Sequence, residues 1–85
     1  MKAYEVLLQS RAQKEFLALP PDIAKKIAQA IQGLADNPRS RQSIKLSGTE
    51  GYRLRVGDYR ILYEINNTAK SITVYRIKHR REVYR

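Results

Sequence analysis

Gly51-Tyr52-Arg53-Leu54-Arg55-Val56-Gly57-Asp58-Tyr59-Arg60-Ile61-Leu62-Tyr63 is the stretch on which the fold turns. Residues 52–56 alternate cleanly, residues 59–65 run back, and Gly57-Asp58 between them is a two-residue hairpin signal. Both positions accept the positive φ that such turns demand. A two-residue loop sets Val56 opposite Tyr59, Arg55 opposite Arg60 and Leu54 opposite Ile61. Side chains alternate across a strand, so Tyr52, Leu54, Val56, Tyr59, Ile61, Tyr63 and Ile65 share one face. That face suits packing against helices. The other gathers Arg53, Arg55 and Arg60, with Leu62 and Glu64. Like charges directly across a ladder cost some tenths of a kcal/mol, so Arg55 beside Arg60 on an open face points to a bound anion. The plainer reading is that Glu64 and solvent neutralise the pair.

Working outward, Asn66-Asn67-Thr68 reads as a turn and residues 71–77 as a further strand rich in β-branched residues. Residues 78–85 are too few and too charged to form a core element. Upstream, Ile44 and Leu46 suggest a short strand before a turn at 47–51. Residues 3–8 read as a first strand from the alternation of Tyr4, Val6 and Leu8. Ser10 precedes Gln13 by three, a capping-box spacing that starts a helix over 11–18 with Ala12, Phe16 and Leu19 inward. Pro20-Pro21-Asp22 breaks the chain and opens a second helix, since Pro is tolerated in a first turn. Ile23, Ile27, Ala30, Ile31 and Leu34 form its buried stripe, Lys25, Lys26, Gln29 and Gln32 face water, and Asp36-Asn37-Pro38 ends it. Two helices with one apolar stripe need a partner layer. The predicted fold is α+β, in the order β-α-α-β-β-β, with two N-terminal helices on one face of a small, mainly antiparallel sheet.

The 85 residues hold seventeen Lys or Arg against eight Asp or Glu, a formal charge of +9. That length supports a single domain over residues 1–85, and 42% hydrophobic residues make it apolar enough to fold. The charge is uneven. Residues 1–38 carry five bases and four acids, net +1, whereas residues 39–85 carry twelve bases and four acids, net +8. Five of the six Tyr also lie in the second part. A near-neutral scaffold followed by a basic, tyrosine-rich half points to nucleic acid or another anionic partner.

The absence of Cys excludes disulfides and thiolate metal sites, and the single His79 leaves a His-based metal site short of ligands. No cofactor or metal is expected. Residues 1–8 carry no long apolar run and no stretch approaches ~20 apolar residues, so a soluble, cytoplasmic protein away from membranes is expected. No G-x-S-x-G, Walker loop or H-E-x-x-H occurs. What remains is the arginine face and the tail with Lys78, His79, Arg80, Arg81 and Tyr84. Arg donates paired hydrogen bonds to phosphate, Tyr offers a ring for an unstacked base, and His can move a proton near neutrality. Together they suit the handling of an RNA phosphate.

The run Lys45-Leu46-Ser47-Gly48, the hairpin from Gly51 to Tyr63, and Ile77-Lys78-His79-Arg80-Arg81-Glu82-Val83-Tyr84 together resemble the RelE/ParE toxin superfamily, on its RelE side. The resemblance covers nearly the whole chain. It implies the toxin of a type II toxin–antitoxin system, acting as a ribosome-dependent mRNA endonuclease that inhibits translation. A ribose 2′-hydroxyl would attack the adjacent phosphate, leaving a cyclic phosphate and a 5′-hydroxyl. By motif position, Arg53 and Arg55 fall where relatives carry basic residues that position or activate the ribose. Arg60 falls on the phosphate-stabilising Arg, Arg80 on the basic residue near the leaving group, and Tyr84 on the tail Tyr that stacks on or orients the substrate. Lys45, Arg53, Arg55, Lys78 and Arg81 complete the expected RNA-binding set.

Some relatives have Lys at the positions of Arg53 and Arg55, and Arg effectively cannot give up a proton. His79 is therefore the acid–base candidate, with Glu82 and Tyr84 as alternatives. The resemblance also implies a small acidic antitoxin as partner, beside the ribosome and mRNA. Two competing readings remain at this level: a ParE-like gyrase poison of the same fold without RNase activity, and a non-catalytic basic RNA-binding module.

Overall fold

The Gly57-Asp58 hairpin has the register its sequence demands. In the computed structural model, which describes residues 4–39, 43–46 and 51–79, strand β3 (Gly51–Val56) pairs antiparallel with β4 (Tyr59–Asn66). Val56 lies opposite Tyr59, Arg55 opposite Arg60 and Leu54 opposite Ile61. Gly57 takes φ 57° and Asp58 does not have a positive φ. Left-handed geometry at the first central position alone is the type II′ pattern.

Three further strands, β1 (Glu5–Leu8), β2 (Ser43–Lys45) and β5 (Ser71–His79), complete a sheet of order β1-β5-β4-β3-β2. β1 is parallel to β5 and the other pairs are antiparallel. The element order is thus β-α-α-β-β-β-β, one strand more than the expected order. The additional element is the three-residue edge strand β2, where only a short strand at Ile44 and Leu46 was suggested. The last strand also runs past Ile77, which puts Lys78 and His79, expected in the tail, inside the ladder. Both gain partners there, Arg60 and Tyr59.

Helices α1 (Ser10–Leu17) and α2 (Pro21–Asp36) cover one face. Ser10 does not cap α1: the N-cap is Gln9, with no side-chain bond, and the first turn closes through Gln13 N–H to the Gln9 carbonyl at 2.9 Å. Pro21 occupies the first turn of α2, as read. The core is the α2 stripe Ile27, Ile31 and Leu34 with Ala12 of α1, packed on Leu54, Ile61, Tyr63, Ile65, Ile72, Val74 and Ile77. Within each strand these residues share the helix-side face, so the residues alternating with them lie on the open face.

Two polar ties fix this arrangement. β1 pairs with β5 only over residues 71–74, and among the described residues no strand lies along the rest of that edge. Glu15 of α1 covers it, accepting the Ile77 amide at 2.8 Å and pairing with the Arg76 guanidinium at 3.0 Å. At the other end, the buried Tyr63 hydroxyl donates to the Pro38 carbonyl and lies 2.7 Å from Ser43 Oγ. That bond anchors the chain leaving α2 beneath β2. Burial pushes the Tyr63 phenol above its usual range, partly offset by the bond to Ser43. Among the described residues no helix is long and apolar enough to cross a membrane.

Candidate phosphate-binding face

The open face is organised in rows across β2 to β5, because antiparallel register sets one residue of each strand side by side. Nearest the Gly57-Asp58 turn lie Arg55, Arg60 and Lys78. The next row holds Ile44, Arg53 and Leu62, ending at Arg76. The third holds Gly51, Glu64 and Thr73. Register between β4 and β5 slips after Leu62, which pairs with Arg76 while Tyr63 pairs with Val74. Tyr75 is the extra residue of this bulge.

Arg60 is the unusual member of the first row. It is only 7% exposed, although it lies on the face away from the helices, and its Nη1 is buried without a hydrogen-bond partner. The sequence predicted an arginine on an open face; the structure instead sinks its guanidinium between neighbours, flanked by Arg55 and Lys78. A buried charged donor left unpaired costs the folded chain free energy, and an anion supplying the missing acceptor would recover it. Arg55 is exposed, its Nε donating to the Gly57 carbonyl at a long 3.5 Å, and Arg53 and Lys78 are half-buried. Three cations thus stand in one row, one of them buried, an arrangement that would suit an anion such as a phosphate.

Four sequence-predicted residues thus come together: Arg53, Arg55, Arg60 and Lys78. Two do not. His79 pairs with Tyr59 and meets its ring edge-on at 5.1 Å, in the helix-side rank. An even step along β5 from Ile77 carries His79 to the side of Ile77, away from the arginines. Lys45 pairs with Tyr52 and likewise falls in the helix-side rank. Arg80, Arg81, Glu82 and Tyr84 lie outside the described residues.

Tyr75 was missed. Most of the tyrosines read as core residues, yet Tyr75 is half-buried beyond the helix-covered face, beside Glu64. Burial, and secondarily the Glu64 charge, raise its phenol above the usual tyrosine range, so it stays a neutral donor. The buried Ile72 and Val74 were the available signal, since alternation from them sends Thr73 and Tyr75 outward. Ile44, 54% exposed, adds an apolar contact in the middle row.

A small basic α+β chain with a row of cations on the sheet face opposite its helices has clear relatives. A sequence profile of the ParE toxin of type II toxin–antitoxin systems matches residues 6–84, and the chain belongs to this family, within the RelE/ParE superfamily. Several similar proteins carry RelE names. It is 27% identical over 86 residues to the putative toxin RelE1 of Methanocaldococcus jannaschii, covering 96% of both chains. It is 29% identical over 90 residues to toxin RelG of Mycobacterium tuberculosis, covering 96% of this chain and 97% of that one. The archaeal RelE–RelB complex of Pyrococcus horikoshii superposes with a TM-score of 0.83 at 31% identity, over 92% of this chain and 96% of that one.

Proposed function

We propose that this chain is a toxin that cuts messenger RNA on the ribosome, by attack of a ribose 2′-hydroxyl on the adjacent phosphate. The observation that carries this reading is the buried, unpartnered Nη1 of Arg60 between Arg55 and Lys78. The reaction needs a proton taken from the 2′-hydroxyl, extra negative charge on phosphorus stabilised, and a proton given to the departing 5′-oxygen. The arginine row supplies the second requirement. Arg60 and Arg55 hold the phosphate oxygens, and Arg53, one row along, positions the ribose. Lys78 adds charge opposite Arg60. Arginines do not supply the base, and His79 lies in the other rank, so proton transfer falls to groups brought by the tail, Glu82 and Tyr84, or by the ribosome.

The partner of this reading is an acidic antitoxin. The Pyrococcus relative was solved as a RelE–RelB complex, and a +9 chain offers such a segment both charge pairing and apolar burial. Primer extension on mRNA, with and without ribosomes, tests the activity: new 5′ ends only in the ribosome-containing reaction support it, and none in either refutes it.

The family profile bears the ParE name, which favours one second reading: poisoning of DNA gyrase on the same fold. That reading gives gyrase-dependent DNA damage and intact mRNA, and it places no demand on a buried arginine in an exposed face.

A further inference from the structure

Beyond the phosphate row, the open face changes character. Where β4 turns into β5 an open cavity of about 520 Å3 is lined by Glu64, Asn66, Asn67, Thr68, Ser71 and Thr73. Register puts Glu64 beside Thr73 and Asn66 beside Ser71, so these side chains rise on the same side as the arginines. The rim is preformed. Asn66 Oδ1 accepts the Ala69 amide at 2.9 Å, and Asn67 Oδ1 accepts from the Tyr4 hydroxyl at 3.1 Å and from Arg39 at 3.3 Å. With both carboxamide oxygens committed to the turn, the Glu64 carboxylate is the strong acceptor directed at the cavity. Glu64 is exposed, and no ion pair to it occurs among the described residues.

We infer that this cavity is a base-recognition pocket, in which Glu64 reads the Watson–Crick edge of a guanine neighbouring the phosphate held by Arg60. The inference rests on the RNA-cutting reading above for the phosphate, and it adds the base. Glu64 lies four residues from Arg60 on one strand, roughly 13 Å at ~3.3 Å per residue. Leu62 and Tyr75 fill the interval, an apolar side chain and a ring over which a base can lie. A carboxylate near a polyanion is repelled unless it forms specific bonds, which makes its position informative. It presents two acceptors in a plane, and guanine alone presents two adjacent donors, the N1 imino and the 2-amino group, on one edge. Adenine and cytosine each set a lone pair beside their amino group, and uracil flanks its imino group with two carbonyls. Glu5, beside Ser71 on β1, adds negative charge at the far rim and disfavours backbone there, which orients the strand with its phosphates toward Arg60.

The test uses short single-stranded RNAs that differ at one position, carrying guanine, inosine, adenine, cytosine or uracil, with 2′-deoxy sugars to prevent cleavage. Binding to the full chain is read by fluorescence anisotropy at fixed salt. Guanine is expected to bind at least about fivefold tighter than inosine, which lacks only the 2-amino group. Glu64→Gln should abolish that ratio without weakening the adenine-containing RNA. Glu64→Asp, which keeps the charge and shortens its reach, should lower the ratio as well. Equal binding of all five RNAs by the wild type, or an unchanged ratio in a folded Glu64→Gln, overturns the pocket. The binding assay requires no cutting, so base selection without mRNA cleavage would retain the pocket and remove the nuclease reading. Cleavage without base selection would do the reverse.

Discussion

Strands β3 to β5 present two faces made of alternating residues, and those faces are under opposite demands. On the helix side, Leu54, Ile61, Tyr63, Ile65, Ile72 and Val74 are buried together against α2. On the other side, the same strands raise Arg53, Arg55, Arg60 and Lys78. Because neighbours in sequence belong to different faces, stability and the proposed chemistry are separable by parity: Ile61 belongs to the core, and Arg60 next to it to the face proposed to seat the phosphate. Arg60 also strains the rule, since it is as buried as a core residue yet belongs to the working face.

The largest effect should therefore come from Arg60. Arg60→Ala should lower ribosome-dependent cleavage by about 10²- to 10³-fold, the range for losing a preorganised charge-stabilising donor. Arg60→Met, which keeps the stem, should lower cleavage similarly while leaving the thermal midpoint equal or higher, since a buried, unpaired charge is removed. A large fall in that midpoint would mean that the guanidinium is structural and that the two faces are not separable. Ile61→Ala gives the mirror image. It should destabilise the fold by about 2–4 kcal/mol in denaturant unfolding, with cleavage per folded molecule close to wild type.

How much of this contrast could be read from the chain depends on where register is locally encoded. Gly57-Asp58 fixes the pairing of six residue pairs, and so the arginine face, without any tertiary information. The apolar spacing from Ile27 to Leu34 does the same for α2. What could not be read depends on contacts between distant segments. The depth of Arg60 depends on what packs around it, and the slip at Tyr75 is a property of the β4–β5 pair. The extension of β5 through His79 arises from pairing with Tyr59 and Arg60, which overrides the charged composition of that segment. Likewise the start of α1 follows from the chain's exit from β1 at Leu8, not from a capping hydroxyl on Ser10.

An intermediate effect should mark the boundary of the helix-side face. Tyr63→Phe loses the bond to the Pro38 carbonyl and should cost about 1 kcal/mol at neutral pH. The same substitution should flatten the alkaline limb of the stability curve. Burial raises the folded phenol above its reference value of 10.0, so as pH rises the unfolded chain loses its proton first. Stability from this group is complete below pH 10 and is lost as pH climbs through the folded value. Urea unfolding at a series of pH values between 7 and 11 checks both parts. A wild-type curve that stays level above pH 10 would contradict the sign.

The smallest effect is expected where sequence and structure disagree most. Composition alone makes His79 the natural proton carrier, being the single His of the chain. Its register opposite Tyr59 and its edge-on contact with that ring instead place it on the helix side. The thickness of the sheet thus separates a side chain in that rank from the face that carries Arg60. His79→Ala should accordingly change cleavage by less than about threefold, a loss of well under 1 kcal/mol compared with the 10²- to 10⁴-fold that a general acid or base supplies. The shape of the pH–rate profile between pH 5.5 and 8 should be the same in variant and wild type. Loss of an ionisation near neutrality from that profile would show His79 crossing to the arginine face when the substrate binds. The separation of the two faces would then hold for the free toxin alone.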